Sequence, residues 1–452
     1  MDSREVAYTI LFNIEKQGTF SNDALQVALR RNQFTDKKER SFVTRLVEGV
    51  TERKITLDFL IKKASKKGNV KLKPQILTIL RMGVYQIVYM DNVPDRAAIS
   101  ESVNLAKNHN LSSLSGYVNA VLHSICDIRD EGRLDSLIVS NPSIKYSTPK
   151  WLCDFLVNTF GKETAFAILE DQFAEHDTVI RINTLKTDKN AYKALLDKTD
   201  IKYTDGILSD RCIRIQGYDH IKKLPGYRDG LFTVQDETSV YTIEHIGIKP
   251  GDKVLDICSA PGGKSMLSYE LATKDGKAGT VVSRDISNNK IDKIGENAER
   301  MCIPVRVLDD DFDVTKLSPG INLQISDATE LDTRIASLSD LDKFDVVIAD
   351  VPCSGLGIIG RKNDIKYNVT QDSMKELAGQ GLVILQNAAE YVKKGGRLCF
   401  STCTINPGEN GEVVEHFINN TENKTFKVIE EKTFLQGING SDGFYYCILE
   451  RL

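Results

Sequence analysis

Three short stretches of this chain gather residue types that could carry out a group transfer. They are DICSAPGGKS (256–265), ADVPCSGLG (349–357) and FSTCTINPGENGEVVEHF (400–417). The first ends like a phosphate-binding P-loop, but G-x-x-x-x-G-K-[ST] needs glycine where this chain has Cys258. The dinucleotide fingerprint G-x-G-x-x-G fails as well. What remains is a strand ending at Asp256, then a turn of small residues (Ser259, Ala260, Pro261, Gly262, Gly263), then a helix start, with MLSYELATK as the helix. Small residues let backbone N–H groups approach a ligand, and a helix N-terminus favours an anionic group. Asp285 ends the next expected strand, roughly 20 residues on, where an acid hydrogen-bonds ribose hydroxyls. A ligand with a ribose and an anionic end, and no need of a pyrophosphate, fits this frame. S-adenosylmethionine is such a ligand. The bland alternative is a tight strand-to-helix turn that holds nothing.

Cys353 follows Pro352, and Cys403 stands between Thr402 and Thr404. Each comes just past an expected sheet strand, and Asp350 ends one of those strands, so all three should share the ligand-binding edge. A single cysteine is ordinarily a small buried filler. Two at strand ends beside a methyl-donor loop fit a particular reaction, methylation of a pyrimidine at C5. That carbon is a poor nucleophile. A thiolate adding to C6 makes the ring enamine-like, with electron density on C5, which then attacks a methyl group. Loss of the C5 proton and expulsion of the thiolate restore the aromatic ring. A thiolate suits both jobs, attack and departure. A carboxylic acid near N3 of cytosine could protonate the ring as the thiol adds, and Asp350 is placed for that. Chemistry alone does not order the two cysteines.

These residues need a frame, and the chain's 452 residues exceed one typical core. Apolar residues recur at helical spacing in REVAYTILFNIEKQ, RSFVTRLVEGVTER, LKPQILTILRMGVYQIVYM, DRAAISESVNLAKNH and SGYVNAVLHSICDI. NPSIKYSTPKW, with two prolines, reads as a linker. Short helices and strands then mix: TVIRINTLK, CIRIQG and GLFTVQD are strand candidates. From residue 246 strands alternate with helices: KVLDIC, GTVVSRD, FDVVIADV and RLCFST, with TFKVIEE and FYYCILE closing the chain. That alternation implies a mostly parallel sheet covered on both faces. The expected domains are an all-α one over 1–138, a small α+β one over 145–240 and an α/β one over 241–452.

Composition excludes several classes. The chain is 41% hydrophobic and 27% charged, with no apolar run long enough for a bilayer. Its first residues read as an amphipathic helix, so a cytoplasmic protein is expected. Nine cysteines form no C-x-x-C pair and have no histidines at zinc spacing, so neither a disulfide framework nor a metal is expected. Net charge is −4, yet residues 1–140 hold 21 basic against 16 acidic residues. Within them runs Lys54, Lys62, Lys63, Lys66, Lys67, Lys71 and Lys73. A local basic patch on an acidic protein can bind nucleic acid.

VLDICSAPGGKS, VVSRDIS, FDVVIADVPCSGLG and FSTCTINPGENGEVVEHF resemble the RNA cytosine-C5 methyltransferase family (NOL1/NOP2/Sun) over roughly residues 145 to 452. LRMGVYQIVYMDNVPDRAAISESVNLAK and GYVNAVLHSI resemble a NusB-type helical RNA-binding domain. Together they are similar to bacterial small-subunit rRNA methyltransferases. The resemblance implies an RRM-like middle domain, a Rossmann-like class I methyltransferase domain, and S-adenosylmethionine as donor. It implies Cys403 as the attacking thiolate and Cys353 as the residue that assists release. Cys258, Ser259, Ala260, Pro261, Gly262, Gly263 and Lys264 would line the donor, Asp285 would hold its ribose, and Asp350 would lie beside donor and base.

The loop reads Cys-Ser-Ala-Pro where the family usually has Cys-Ala-Ala-Pro, a mild departure. A longer one is IPVRVLDDDFDVTKLSPGINLQISDATELD. The adenine-side acid is expected at Asp327 if INLQIS is the third strand, or at Asp309, Asp310 or Asp311 if PVRVL is. The base must leave any stack before a thiol reaches C6, so single-stranded or looped small-subunit rRNA is the expected partner. The basic run, Arg81, Arg181 and Lys186 are candidate phosphate contacts. A monomer is expected. The alternatives are a tRNA enzyme of the same chemistry and an RNA-binding assembly factor with a retired core.

Overall fold

The helical spacing at the start of the chain becomes helices Ser3–Gln17, Lys37–Glu52, Lys54–Ala64, Pro74–Tyr89, Asp95–Asn108 and Ser115–Asp130. Their repeating apolar positions, such as Val6 and Ile10, Leu46 and Val50, Ile76, Ile79 and Leu80, and Val118, Leu122 and Ile125, meet in one core. Pro74 opens its helix, where its missing N–H costs no hydrogen bond. The computed structural model describes residues 2–17, 24–25, 27–28, 37–65, 72–139, 141–309, 312–420 and 425–452. The chain divides into two compact units, residues 1–174 with 359–368, and residues 175–358 with 369–452. No helix among the described residues is long and apolar enough to cross a membrane.

Two expectations for the first unit change. The proline-bearing segment is not a free linker. Pro142–Lys145 is a helical turn, and Tyr146, Ser147 and Thr148 are buried. Ser147 Oγ accepts the Ile55 N–H at 3.0 Å, so the segment caps the helix Lys54–Ala64. Arg81 is no surface cation either. It is 6% exposed and makes a two-pronged pair with Asp58, at 2.7 and 2.8 Å. Lys54 pairs with Glu15 at 2.8 Å. Lys62, Lys63 and Lys73 are exposed, while Lys66, Lys67 and Lys71 lie outside the described residues.

The second unit begins with a four-stranded antiparallel sheet in the order β2-β3-β1-β4. Its strands are β1 (Thr178–Ile182), β2 (Lys202–Asp205), β3 (Cys212–Gln216) and β4 (Phe232–Val234). Arg181, expected to contact phosphate, is 0% exposed and pairs with Glu270 of the helix Gly263–Ala272. A buried carboxylate demands such a cation, and the pair fastens the small sheet to that helix.

An eight-stranded sheet follows, in the order β11-β12-β10-β9-β5-β6-β8-β7. The strands are β5 (Lys253–Asp256), β6 (Thr280–Asp285), β7 (Val305–Val307), β8 (Gly320–Ile325), β9 (Phe344–Asp350), β10 (Val392–Thr402), β11 (Phe426–Phe434) and β12 (Phe444–Arg451). Strands β5 to β10 run parallel, and β12 and β11 are antiparallel additions at one end. Alternate residues face opposite layers. Val254, Val346 and Ile348 pack with Met266, Leu267 and Ile294 on one side. Leu255, Val347 and Phe400 pack with Ile384, Leu385 and Phe417 on the other. The long helix Gln371–Tyr391 ends ahead of Gly395–Gly396, and those glycines fall inside β10 at an irregularity in its pairing.

Candidate active site

The sheet runs from β5 to β6 in one direction and reaches β9 on the other side of β5, so strand order reverses at β5. In open α/β sheets the crevice at such a point, past the carboxyl ends of the strands, takes the ligand. Asp256, Asp285 and Asp350 end β5, β6 and β9, and Thr402 ends β10 one residue before Cys403. The fold therefore gathers the three motif stretches along one edge.

The turn after β5 is held from below. Ser259 N–H and Oγ both donate to the Arg284 carbonyl at 2.9 Å. Gly262 has φ +99°, and a Cβ there would lie 2.9 Å from Ile294 Cγ2, so the turn needs glycine. Pro261 is exposed and its carbonyl accepts Asn297 Nδ2 at 3.1 Å, while Cys258 is half-buried. Burial lifts the Cys258 thiol well above its ordinary range, with Asp256 adding to the rise. Asp256 is 0% exposed and accepts Ser265 Oγ at 2.6 Å. Its Oδ1 has no hydrogen-bond partner among the described residues. Burial pushes this carboxyl up to about 7. Asp285 Oδ2 accepts the Ala260 N–H at 2.9 Å, and its Oδ1 accepts the Ile286 N–H and Lys290 Nζ, each at 2.8 Å.

Asp350 is held by two partners, Lys264 Nζ at 2.7 Å and Ser401 Oγ at 2.7 Å. Ser401 reaches it because β9 and β10 pair with these two residues in register. Burial would strip Lys264 of its proton, but Asp350, Asp256 and Cys403 outweigh it and hold the ammonium above its ordinary range. Cys353 Sγ and Cys403 Sγ are 3.3 Å apart. The Cys403 contact and burial raise the Cys353 thiol well above the usual value, and Glu409 adds to the rise. Lys264 and Cys403 thus favour one another's charged forms, and Glu409 opposes charge on Cys353.

Comparison with known proteins identifies the frame. Profiles match in chain order: the NusB family over residues 1–127, a Methyltr_RsmF/B-like ferredoxin-like domain over 148–221, and 16S rRNA methyltransferase RsmB/F over 244–449. The probable ribosomal RNA small subunit methyltransferase B of Bacillus subtilis (strain 168) is 31% identical, across 99% of this chain and 98% of that one. The chain belongs to the RsmB/F family of 16S rRNA methyltransferases. An RsmB from Shewanella oneidensis is 26% identical, with 99% of both chains aligned. Among solved structures, PH0851 superposes with a TM-score of 0.78 at 19% identity, covering 100% of this chain and 99% of that one. NSun6 from Pyrococcus horikoshii, solved with SFG, gives 0.56 at 18% identity, covering 67% of this chain and 98% of that one. These two likenesses show the fold alone.

Within this RsmB/F chain, both disputed segments are strands. β8 pairs with β6, and β7 is an added edge strand beyond it. Asp327 thus follows the strand next to β6. It is half-exposed, and Thr329 N–H and Oγ donate to it at 2.9 and 2.7 Å. Asp309 follows the edge strand, Asp310 and Asp311 lie outside the described residues, and Asp313 is engaged in capping the turn at Thr315. Sequence reasoning missed Ser401, Lys290 and Ser265, the polar partners of the three strand-end aspartates. The first becomes visible only once β9 and β10 are known neighbours.

Proposed function

We propose that this chain methylates carbon 5 of a cytosine in small-subunit rRNA, through a covalent bond between Cys403 and C6. The observation that carries the reading is the pair of thiols 3.3 Å apart at the ends of β9 and β10, beside a carboxylate fixed by Lys264 and Ser401. S-adenosylmethionine, when bound, supplies the electrophilic methyl group that C5 takes. The residues at this edge fit it. The backbone turn 258–263 and the start of the helix Gly263–Ala272 suit its charged end, Asp285 its ribose, and Asp327 the adenine side.

Cys403 attacks because Lys264 favours a thiolate there. Cys353, kept as a thiol by Cys403, burial and Glu409, serves the later step: as the Cys403–C6 bond breaks, the Cys353 S–H proton passes to the departing Cys403 sulfur 3.3 Å away, Cys353 takes the C5 proton in its place, and the C5–C6 double bond re-forms. Asp350 stands ready to engage the N3 side of the ring as the thiolate adds. Within the basic run, Lys62, Lys63 and Lys73 are the described residues left exposed, where RNA phosphates can reach them. A ribosomal RNA substrate agrees with a cytoplasmic site for the reaction. The test is to mix protein, methyl-labelled S-adenosylmethionine and separated RNA fractions, then digest the RNA to nucleosides. Label in 5-methylcytosine from small-subunit rRNA is expected. Label confined to tRNA, or to another nucleoside, overturns the reading.

A further inference from the structure

The turn NPGENG (406–411) has no part in the chemistry just described, yet one of its side chains ties both cysteine loops together. Glu409 is 2% exposed. Its Oε2 accepts the Ser354 N–H at 2.7 Å, and its Oε1 accepts Ser354 Oγ at 2.6 Å and Asn406 Nδ2 at 2.8 Å. Ser354 Oγ also lies 2.8 Å from Thr404 Oγ1. Ser354 immediately follows Cys353, and Thr404 immediately follows Cys403. A buried carboxylate with this many donors holds them in one arrangement.

Both loops have further fastenings; on the Cys353 side the Val351 N–H donates to the Ser401 carbonyl at 3.0 Å and the Gly357 N–H to the Cys403 carbonyl at 3.1 Å. On the Cys403 side, Thr402 Oγ1 donates to Asn410 Oδ1 at 2.6 Å and Asn410 Nδ2 donates to the Thr404 carbonyl at 2.9 Å. Ser354 itself is held by Glu409 through both its backbone and its side chain.

We propose that Glu409 is a positioning residue that fixes the Cys353 thiol against Cys403 and thereby sets how fast the methylated base is released. The inference rests on the covalent reading above. The charge of Glu409 acts in the same sense as its hydrogen bonds, by adding to what keeps Cys353 protonated.

The test is Glu409→Gln. Glutamine keeps the volume but replaces one oxygen by an NH2 group, which cannot accept from Ser354. Deproteinised small-subunit rRNA and methyl-labelled S-adenosylmethionine are supplied. Three quantities are read: the rate of covalent protein–RNA formation in a single turnover, steady-state turnover, and the adduct standing during turnover. Cys353→Ala is the benchmark for blocked release. Glu409→Gln is expected to form adduct within ~3-fold of the unaltered protein while turnover falls ~10-fold or more, so that adduct accumulates. Ser354→Ala, which removes the hydroxyl and keeps the N–H, should shift the same way by less, and carries the test if Glu409→Gln fails to fold. Unaltered turnover without excess adduct overturns the inference. So do equal falls in adduct formation and turnover, the mark of a merely structural role. If Cys353→Ala also accumulates no adduct, the covalent reading falls and the inference with it. Adduct in Cys353→Ala but in neither clamp variant overturns the inference alone.

Discussion

Cys353 Sγ and Cys403 Sγ stand 3.3 Å apart, so a charge on either is felt by the other. Lys264 lowers the energy of negative charge on Cys403, while Glu409 raises it on Cys353. On the reading proposed above, Cys403 attacks and Cys353 serves release. The assignment predicts opposite outcomes for two small changes. Cys403→Ala should abolish both turnover and the covalent protein–RNA band on a denaturing gel. Cys353→Ala should lose turnover but accumulate the band, because attack and methyl transfer proceed and the adduct cannot leave. A band that builds up in Cys403→Ala and is missing from Cys353→Ala reverses the two roles. Neither substitution should lower stability by more than about 1 kcal/mol, since each removes one half-buried sulfur.

The elements that carry these residues were legible because their signals are local. A strand that ends in aspartate, a turn that only small residues fit, and a helix of period 3.6 can each be read within ten residues. What was not legible is which distant charge meets which. Arg181 sits in an alternating strand and reads as a surface cation; its partner Glu270 is 89 residues away. Glu409 reads as an ordinary loop acid until Ser354, 55 residues earlier, is seen against it. The Arg181 pairing makes a prediction at this scale. Arg181→Ala leaves Glu270 charged and unpaired in the interior, at a cost of about 3–5 kcal/mol, visible in urea unfolding. The double variant Arg181→Met, Glu270→Leu should recover most of that loss, since well-packed apolar side chains commonly replace a buried ion pair without penalty. Had Arg181 contacted phosphate, Arg181→Ala would leave stability intact and flatten the salt dependence of RNA binding instead.

At the scale of the whole molecule, the chain crosses between its two units more than once. Residues 359–368 belong to the helical unit, although the chain on either side of them belongs to the catalytic unit. They directly follow the loop that begins at Cys353, and their composition, IGRKNDIKYN, gives no sign of a boundary. Lys366 anchors this segment. It is 0% exposed, and its Nζ donates to the Gln172 Oε1 at 2.6 Å and the Glu52 carbonyl at 2.9 Å. Burial pulls the ammonium down to about 7, against a partial opposing pull from Glu52. An unfolded lysine titrates near ~10.4, so between about pH 7 and about pH 10 the unfolded chain holds a proton that the folded chain has shed. Stability contributed by this site therefore rises with pH across that window, by up to ~1.4 kcal/mol per pH unit. Below about pH 7 both states are protonated and the cost of the buried charge is complete and constant. Lys366→Met removes the titration. The chain's one tryptophan, Trp151, lies on the helix Lys150–Phe160 of the same unit and reports its unfolding. Urea midpoints followed by its fluorescence should show the unaltered protein gaining on Lys366→Met by roughly 2 kcal/mol between about pH 7.5 and about pH 9. Two curves that stay parallel across that range would mean that Lys366 keeps its proton in the folded state. The segment would then be held by a buried ammonium rather than by a neutral amine.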